Sequence, residues 1–338
     1  MRYTSKNSIS ISITYVNVVL SKARLDQSVI DELLHNSRIP NHLLQEPNAR
    51  VSLVQYAQLM DGLTQATGDE FLGHGSSPVP LGSMSLLTHW LVATKTLAEA
   101  AERIARFYQM IGQGQAIHSY TEGDLLFFEI ELPSYKRHSD FFIAELFFSN
   151  IHRLLSWLTM EIIHIDRVEL QCEMHDHAQD YPLLFYAAPI HFNQRKTRIS
   201  FSPTQLAKPV QQNLSNLEKF LESPNFEILV LDFKADNLAS RVAVELRKNL
   251  DAMPALPELA ETMDIKPYTL QRRLADEGMT YLGIKNQVKR DAAIDFLVNT
   301  DLSIEEISAQ LGFSETSPFT RTFKEWTGIP PSAYRKYH

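Results

Sequence analysis

Ile307-Ser308-Ala309-Gln310-Leu311-Gly312-Phe313-Ser314-Glu315, running on to Phe319-Thr320-Arg321-Thr322-Phe323-Lys324, is the stretch that decides how this chain is read. Ile307 and Ser308 sit on a helix-periodic run, Gly312 supplies a turn, and Phe319 re-enters the core. A small residue where two helices cross, a turn residue four positions on, and an apolar anchor beyond it describe a helix-turn-helix. The layout also stands upstream, with Leu259-Ala260 on the helix, Asp264 in the turn and Leu270 as the anchor. Leu270 and Phe319 are 49 residues apart, so the unit occurs twice. Each second helix carries side chains that suit a nucleic-acid groove: Tyr268, Thr269, Gln271, Arg272 and Arg273 in the first, and Glu315, Thr316, Ser317, Thr320, Arg321 and Lys324 in the second. Gln and Arg make bidentate contacts to adenine and guanine edges, while Ser, Thr and Lys suit phosphates. One such helix face is ordinarily just solvated. Two at matching positions make these eleven residues candidate DNA contacts.

Around this pair the chain is helix-periodic over 239–250, 256–263, 268–277, 282–298, 303–311 and 319–327, with short turns between, which predicts a compact all-α domain. Val288, Ala292 and Phe296 are expected to face its core from the longest helix, and Leu270, Phe319, Phe323, Trp326 and Tyr334 are expected inside it. Upstream, Pro203, Pro209, Pro224 and the polar run Gln211-Gln212-Asn213 mark a linker. Before the linker the patterning changes. Leu91, Ala98, Ala101, Ile104, Ala105 and Tyr108 predict one amphipathic helix, and Phe148, Ile151, Leu155 and Leu158 predict a second with one apolar face. Residues 117–120 and 125–132 flank a Gly123-containing turn and predict a hairpin. Val168, Leu170 and Cys172 alternate with polar residues as a half-buried strand, and short strand signals follow at 190–192 and 198–201. The fold class is therefore α+β: a mixed α/β N-terminal domain over 1–204 with a small, largely antiparallel sheet, a linker over 205–238, and an all-α C-terminal domain over 239–338 with two helix-turn-helix units.

The 338 residues carry a net charge of -8, which alone argues against a nucleic-acid partner. Its distribution reverses the argument: the first 240 residues hold a net -7 and the remainder only -1. Lys266, Arg272, Arg273, Lys285, Lys289 and Arg290 bunch in one stretch, and Arg321, Lys324, Arg335 and Lys336 in another. The single cysteine, Cys172, excludes an internal disulfide framework and suits a reducing compartment, so a cytoplasmic location is expected. The most apolar stretch, around 141–158, is broken by Glu145, Asn150, His152 and Arg153, and no membrane span is expected. Cys172, His175, His177 and Asp180 resemble a metal-ligand cluster, but no second ligand pair accompanies them, and no metal is expected. The glycines at 73, 75, 112 and 114 lack the Lys-Ser/Thr of a phosphate loop, and no cofactor is implied. No nucleophile elbow or HExxH pattern is present, so no enzyme is expected. His89, Trp90, Phe107, Tyr108, His118, Phe128, His152 and Trp157 are either core or the lining of a ligand pocket.

Residues 239–336 resemble the DNA-binding domain of the AraC/XylS family of transcriptional regulators. The match runs through Ile307 to Lys324 and on to Thr327-Gly328-Ile329-Pro330-Pro331-Ser332-Ala333-Tyr334-Arg335, and upstream through Thr269-Leu270-Gln271-Arg272-Arg273-Leu274 with Glu277-Gly278. Ser308 stands where the family usually has Ala, and Pro318 enters the second recognition helix, where a first turn tolerates it. His42-Leu43-Leu44, Asn48-Ala49-Arg50-Val51, Arg106-Phe107-Tyr108, Asp180-Tyr181-Pro182 and Pro189-Ile190-His191-Phe192 resemble the N-terminal effector domain of a subgroup with regulators of amine catabolism and of virulence genes. That domain differs from an all-β cupin-type sensor. The resemblance implies a sequence-specific regulator that binds promoter DNA as a homodimer, contacts RNA polymerase, and answers to a small-molecule effector of unknown identity and unknown pocket. Two alternatives stay open: a ligand-independent DNA-binding regulator, and a metal-dependent enzyme with an accessory DNA-binding domain.

Overall fold

The computed structural model describes residues 9–75, 77–111, 116–131, 141–174, 178, 180–186, 188–229 and 238–335. The chain begins with β1 (Ser10–Ser12), α1 (Ile13–Ser21), α2 (Gln27–Asn36), a 3-10 turn (Asn41–Gln45), β2 (Arg50–Ser52), α3 (Leu53–Thr67), α4 (Ser83–Val92) and α5 (Leu97–Ile111). It continues through β3 (Ala116–Glu122), β4 (Leu125–Glu131), α6 (Phe142–Thr159), β5 (Arg167–Glu169), α7 (Tyr181–Leu184), β6 (Ile190–His191), β7 (Arg198–Phe201), α8 (Pro203–Leu206), α9 (Leu214–Leu221) and α10 (Pro224–Leu229). The last seven elements are α11 (Leu238–Arg247), α12 (Leu256–Thr262), α13 (Pro267–Asp276), α14 (Tyr281–Asn299), α15 (Ile304–Gln310), α16 (Thr316–Thr327) and α17 (Pro331–Arg335). Contacts divide the chain into two compact units. One holds the described residues of Met1–Asn17, Asp31–Leu59 and Ala235–His338; the other holds those of Val18–Ile30 and Met60–Lys234.

The second unit is built on a five-stranded sheet of order β3-β4-β7-β5-β6, antiparallel except for the β5–β6 pair. Glu122 pairs with Leu125, so the hairpin turns in two residues, and Gly123 supplies the left-handed φ of 61°. Phe128, Val168, Ile199 and Phe201 are wholly buried on one sheet face, where the Phe201 ring stacks on His152 of α6. The other face is roofed by charge. Arg198 lies 4.1 Å over the Phe127 ring and donates to Glu169 and, at 2.9 Å, to Glu122, while Lys196 holds Glu129 at 2.7 Å. The pleat thus sorts apolar from ionic residues as period-2 alternation requires.

Three helical and strand expectations need correction. Leu91 belongs to α4, and Ala98 is exposed; the seam of α5 is Leu97, Ala100, Ala101, Ile104, Ala105 and Phe107. Cys172 is only half-buried and lies past the end of β5, whose Glu169 turns out to be buried against Arg198. Helix α6 has no solvent face: all but two of its residues are buried. A helix enclosed on all sides must bring partners for its polar groups. Glu145 accepts from Tyr181 Oη at 2.5 Å, His152 Nε2 meets the Ile163 carbonyl at 2.8 Å, and Arg153 donates to the carbonyls of Ile228 and Leu229.

The helical unit has two cores that share α14. Leu238, Val242 and Leu246 of α11, Leu259 and Ala260 of α12, and Leu270 and Leu274 of α13 pack with Ile284 and Val288 of α14. Beyond Val288, α14 contacts α15, α16 and α17. There the rings of Phe313, Phe319, Phe323 and Tyr334 follow one another at 5.5–5.8 Å. Phe296 and Trp326, expected inside, are half-buried. The short ribbon β1–β2 belongs to this unit. Ser10 Oγ donates to the buried Asp291 of α14 at 2.5 Å, Arg50 Nε donates to Ser10 Oγ at 2.9 Å, and Tyr334 Oη donates to the Arg50 carbonyl at 2.5 Å.

Two buried histidines tie the α/β unit to pH. Burial lowers His152 to about 3, and burial together with the Lys22 charge lowers His74 to about 4, from 6.5. Both rings stay neutral in the folded chain and take up a proton on unfolding, so their stabilisation is present above pH 6.5 and lost as pH falls below it. The unfolding free energy should drop between pH 7 and 5, by up to about 1.4 kcal/mol per pH unit for each histidine. His152→Gln should flatten that slope in a urea titration series.

Candidate nucleic-acid interface

The two helix-turn-helix units form by the same local rules. Helix α15 starts with a capping box, in which Ser303 Oγ accepts from the Glu306 amide at 3.1 Å and the Glu306 carboxylate accepts from the Ser303 amide at 2.7 Å. At α12 the cap is Ala255, and only the reverse half forms, with the Ala255 amide donating to Glu258 at 2.8 Å. Pro318 lies in the first turn of α16, which begins at Thr316 rather than at Phe319. Glu277, at the end of α13, reaches across to cap α11, accepting from the amides of Leu238 and Ala239 at 2.9 and 2.8 Å.

The turns differ. Asp264 holds a left-handed φ of 54° and Gly312 one of 69°. A Cβ on Gly312 would lie 2.1 Å from the Asp251 carbonyl oxygen, so glycine is required there for space as well as for φ. Ser308, half-way down the crossing, is buried and donates to the Glu315 carbonyl at 3.0 Å, which gives its hydroxyl the partner that burial demands.

Each recognition helix points its anchors inward and its candidate residues outward. In α13, Leu270 and Leu274 are wholly buried, whereas Tyr268 is 74% exposed and Gln271, Arg272 and Arg273 are exposed. At roughly 100° per residue, Tyr268 and Arg272 lie opposite the anchors with Thr269 beside them, and Gln271 and Arg273 lie on the two flanks. In α16, Phe319 and Phe323 are buried, and Ser317, Thr320, Arg321 and Lys324 share the opposite face, with Thr316 at its edge. Glu315 is the exposed N-cap residue. An offset of 49 carries Tyr268, Gln271 and Arg272 onto Ser317, Thr320 and Arg321. Among the described residues, the side chains of Arg272, Arg273, Arg321 and Lys324 make no hydrogen bond or ion pair. Four of the other bunched cations differ. Lys285 Nζ reaches the Met253 carbonyl at 3.5 Å, Lys289 Nζ lies 4.8 Å from the centre of the Phe313 ring, Arg290 pairs with Asp291 at 3.4 Å, and Arg335 donates to the Leu302 carbonyl. The charge run overstated the free positive charge, because linear bunching does not say which cations are already engaged.

Residues 29–210 match the family model described as the arabinose-binding domain of AraC transcription regulator, N-terminal, and residues 259–337 match a helix-turn-helix domain model. The chain belongs to the AraC family of transcription regulators. It is 24% identical over 312 residues to the ornithine utilization regulator of Pseudomonas aeruginosa, with 90% of each chain covered. It is 34% identical over 106 residues to the transcriptional regulator VqsM of the same organism, covering 31% of this chain and 33% of the relative. The crystal structure of the transcriptional regulator CdpR from Pseudomonas aeruginosa covers 99% of both chains at 19% identity, with a TM-score of 0.32. This AraC-family chain is thus a regulator that binds promoter DNA, with an N-terminal domain of the family's ligand-binding type, and the enzyme alternative falls away.

Other residues weighed for chemistry are dispersed. Phe107, Phe128, His152 and Trp157 are buried core, His89 is exposed, and His118 faces Glu131 at 3.4 Å on the β3–β4 hairpin. His175 and His177 lie outside the described residues, and no group of three metal-ligating side chains occurs among those described. No helix among the described residues is long and apolar enough to cross a membrane. The capping role of Glu277 was missed at the sequence level; its only signal was a carboxylate directly before Gly278.

The unequal turns make a direct test. Gly312→Ala should lower stability by more than about 2 kcal/mol, from left-handed strain plus the clash with a backbone carbonyl. Asp264→Gly should change it by less than about 1 kcal/mol. Urea denaturation of both variants checks the asymmetry.

Proposed function

We propose that α13 and α16 enter successive major grooves on one face of promoter DNA, about 34 Å apart. In this reading Gln271, Arg272 and Arg321 contact base edges, with Tyr268 and Thr320 beside them on the same faces. Thr269, Arg273, Thr316, Ser317 and Lys324 serve phosphates, and Glu315 accepts from a cytosine amino group. The observation that carries the reading is the recurrence, at an offset of 49, of two outward faces whose arginine side chains have no partner among the described residues. Burial of the anchors on the opposite sides supports it, because nothing in the helical core needs Arg272 or Arg321.

The N-terminal region, 1–204, is proposed to take a small-molecule effector and to carry the homodimer contact, with 205–238 as the linker and 239–338 as the DNA reader. Within 1–204, Val18–Ile30 and the residues from Met60 on belong to the five-stranded unit, which runs on to Lys234. An effector that binds one arrangement better than another shifts promoter occupancy, or contact with RNA polymerase, by its differential affinity. A thermal-shift screen of metabolites tests this: a stabiliser supports effector control, and a screen without one favours ligand-independent binding.

Alanine at Gln271, Arg272 or Arg321 is expected to weaken cognate binding by about 1–3 kcal/mol and to relax sequence preference. Equal loss on cognate and random duplexes would make them phosphate contacts instead. Lys324→Ala should weaken binding to all sequences alike and reduce the slope of log affinity against log salt by about 1. Lys285, Lys289 and Arg290 are engaged internally, so charge removal there should leave the salt slope nearly unchanged. Salt titrations of each variant separate the two groups.

A further inference from the structure

One stripe of α14 grips both helix-turn-helix units. Tyr281, Lys285 and Lys289 are spaced by four, so they line one side of the helix. Tyr281 Oη donates to the Pro254 carbonyl and Lys285 Nζ to that of Met253, both in the loop that leads into the first unit. Lys289 sits 4.8 Å over the ring of Phe313, in the turn of the second unit. The gap is closed from the far side. The α-carbon of Gly312, in that same turn, lies so near residue 251 that an added Cβ would stand 2.1 Å from the Asp251 carbonyl oxygen. Phe313 is itself fixed, with its amide donating to the Ser308 carbonyl at 3.0 Å and its ring against Phe319 at 5.5 Å. The loop at 251–254 is therefore held between α14 and the second turn.

We propose that this joint, made by Tyr281, Lys285 and Lys289 with the Gly312–Phe313 turn against the 251–254 loop, is the specificity determinant for the distance between the two DNA half-motifs. The inference rests on the proposal that both recognition helices read DNA. Adding one base pair between half-motifs moves the second by about 3.4 Å along the axis and rotates it by about 35°, since a turn holds 10–10.5 base pairs. A joint pinned from two sides does not follow that movement, so one spacing is read and its neighbours are refused. Half-buried and 4.8 Å from the ring centre, the Lys289 amine is directed at Phe313.

The test is a selection of binding sites from a random-sequence duplex library with the full chain and three variants. Lys289→Met keeps the stem and removes the charge, Phe313→Leu removes the ring, and Lys289→Arg retains a cation over it. Circular dichroism and a thermal melt confirm the fold of each. The wild-type chain and Lys289→Arg should return two half-motifs at one spacing. Lys289→Met and Phe313→Leu should return the same half-motifs with neighbouring spacings, the preference for the native spacing falling about fivefold or more. Binding to a single half-motif should not change. Folded Lys289→Met and Phe313→Leu that keep the wild-type spacing preference overturn the joint alone. A wild-type selection with only one motif overturns the two-reader proposal, and the joint with it.

Discussion

Helix α14 is the constraint on which the helical unit depends. Nineteen residues long, it spans about 28 Å, long enough for each end to sit in a different core. Ile284 and Val288 close the first core, and from Asp291 to Val298 six more buried residues face the second unit or the β1–β2 ribbon. Its apolar positions are consequently spread around the helix rather than gathered in one stripe. Neither helix-turn-helix owns the helix, and neither core is complete without it.

The two units are copies in plan but not in tolerance. In the first turn an exposed Asp264 occupies the left-handed region. The second turn abuts the loop of its neighbour, which leaves no volume at Gly312. One duplicated motif therefore obeys a local rule in one place and a tertiary rule in the other. A similar split governs the charges. Among the described residues the arginine side chains opposite the anchors of α13 and α16 have no partner, while Lys285 of α14 meets a carbonyl and Lys289 a ring.

Much of the helical unit was legible because short helices with clear anchors, bounded by Gly, Pro and Asp, announce themselves by period. The six expected segments agree with α11–α16 to within three residues at most ends, and only the five-residue α17, opened by Pro331, went unread. Both recognition faces were legible for the same reason, since the positions of Leu270 and Phe319 fix which side is outward. Period failed where burial is two-sided or where a break is subtle. In helix α6, Phe148, Ile151, Leu155 and Leu158 marked one apolar face, but the period could not show that the rest is enclosed too, with Glu145, His152 and Arg153 buried against partners from Tyr181, Ile163 and Ile228. The split between α4 and α5 was hidden because Thr94, Lys95 and Thr96 carry no Gly or Pro. Nothing local in Ser10 or Arg50 points to Asp291 or Tyr334, for these pairings join residues remote in sequence.

That remoteness has a consequence for how the chain is made. Ser10 and Asp291 are separated by 281 positions, and Arg50 and Tyr334 by 284. A ribosome adding about 5–20 residues per second leaves the ribbon roughly 15–60 s without its partners. Late in that interval, once Lys234 has been added, the α/β unit has its whole sequence in hand, and the DNA reader does not. Ser10 and Arg50 wait for the last helices of the unit, so a chain interrupted before Tyr334 lacks a finished reader.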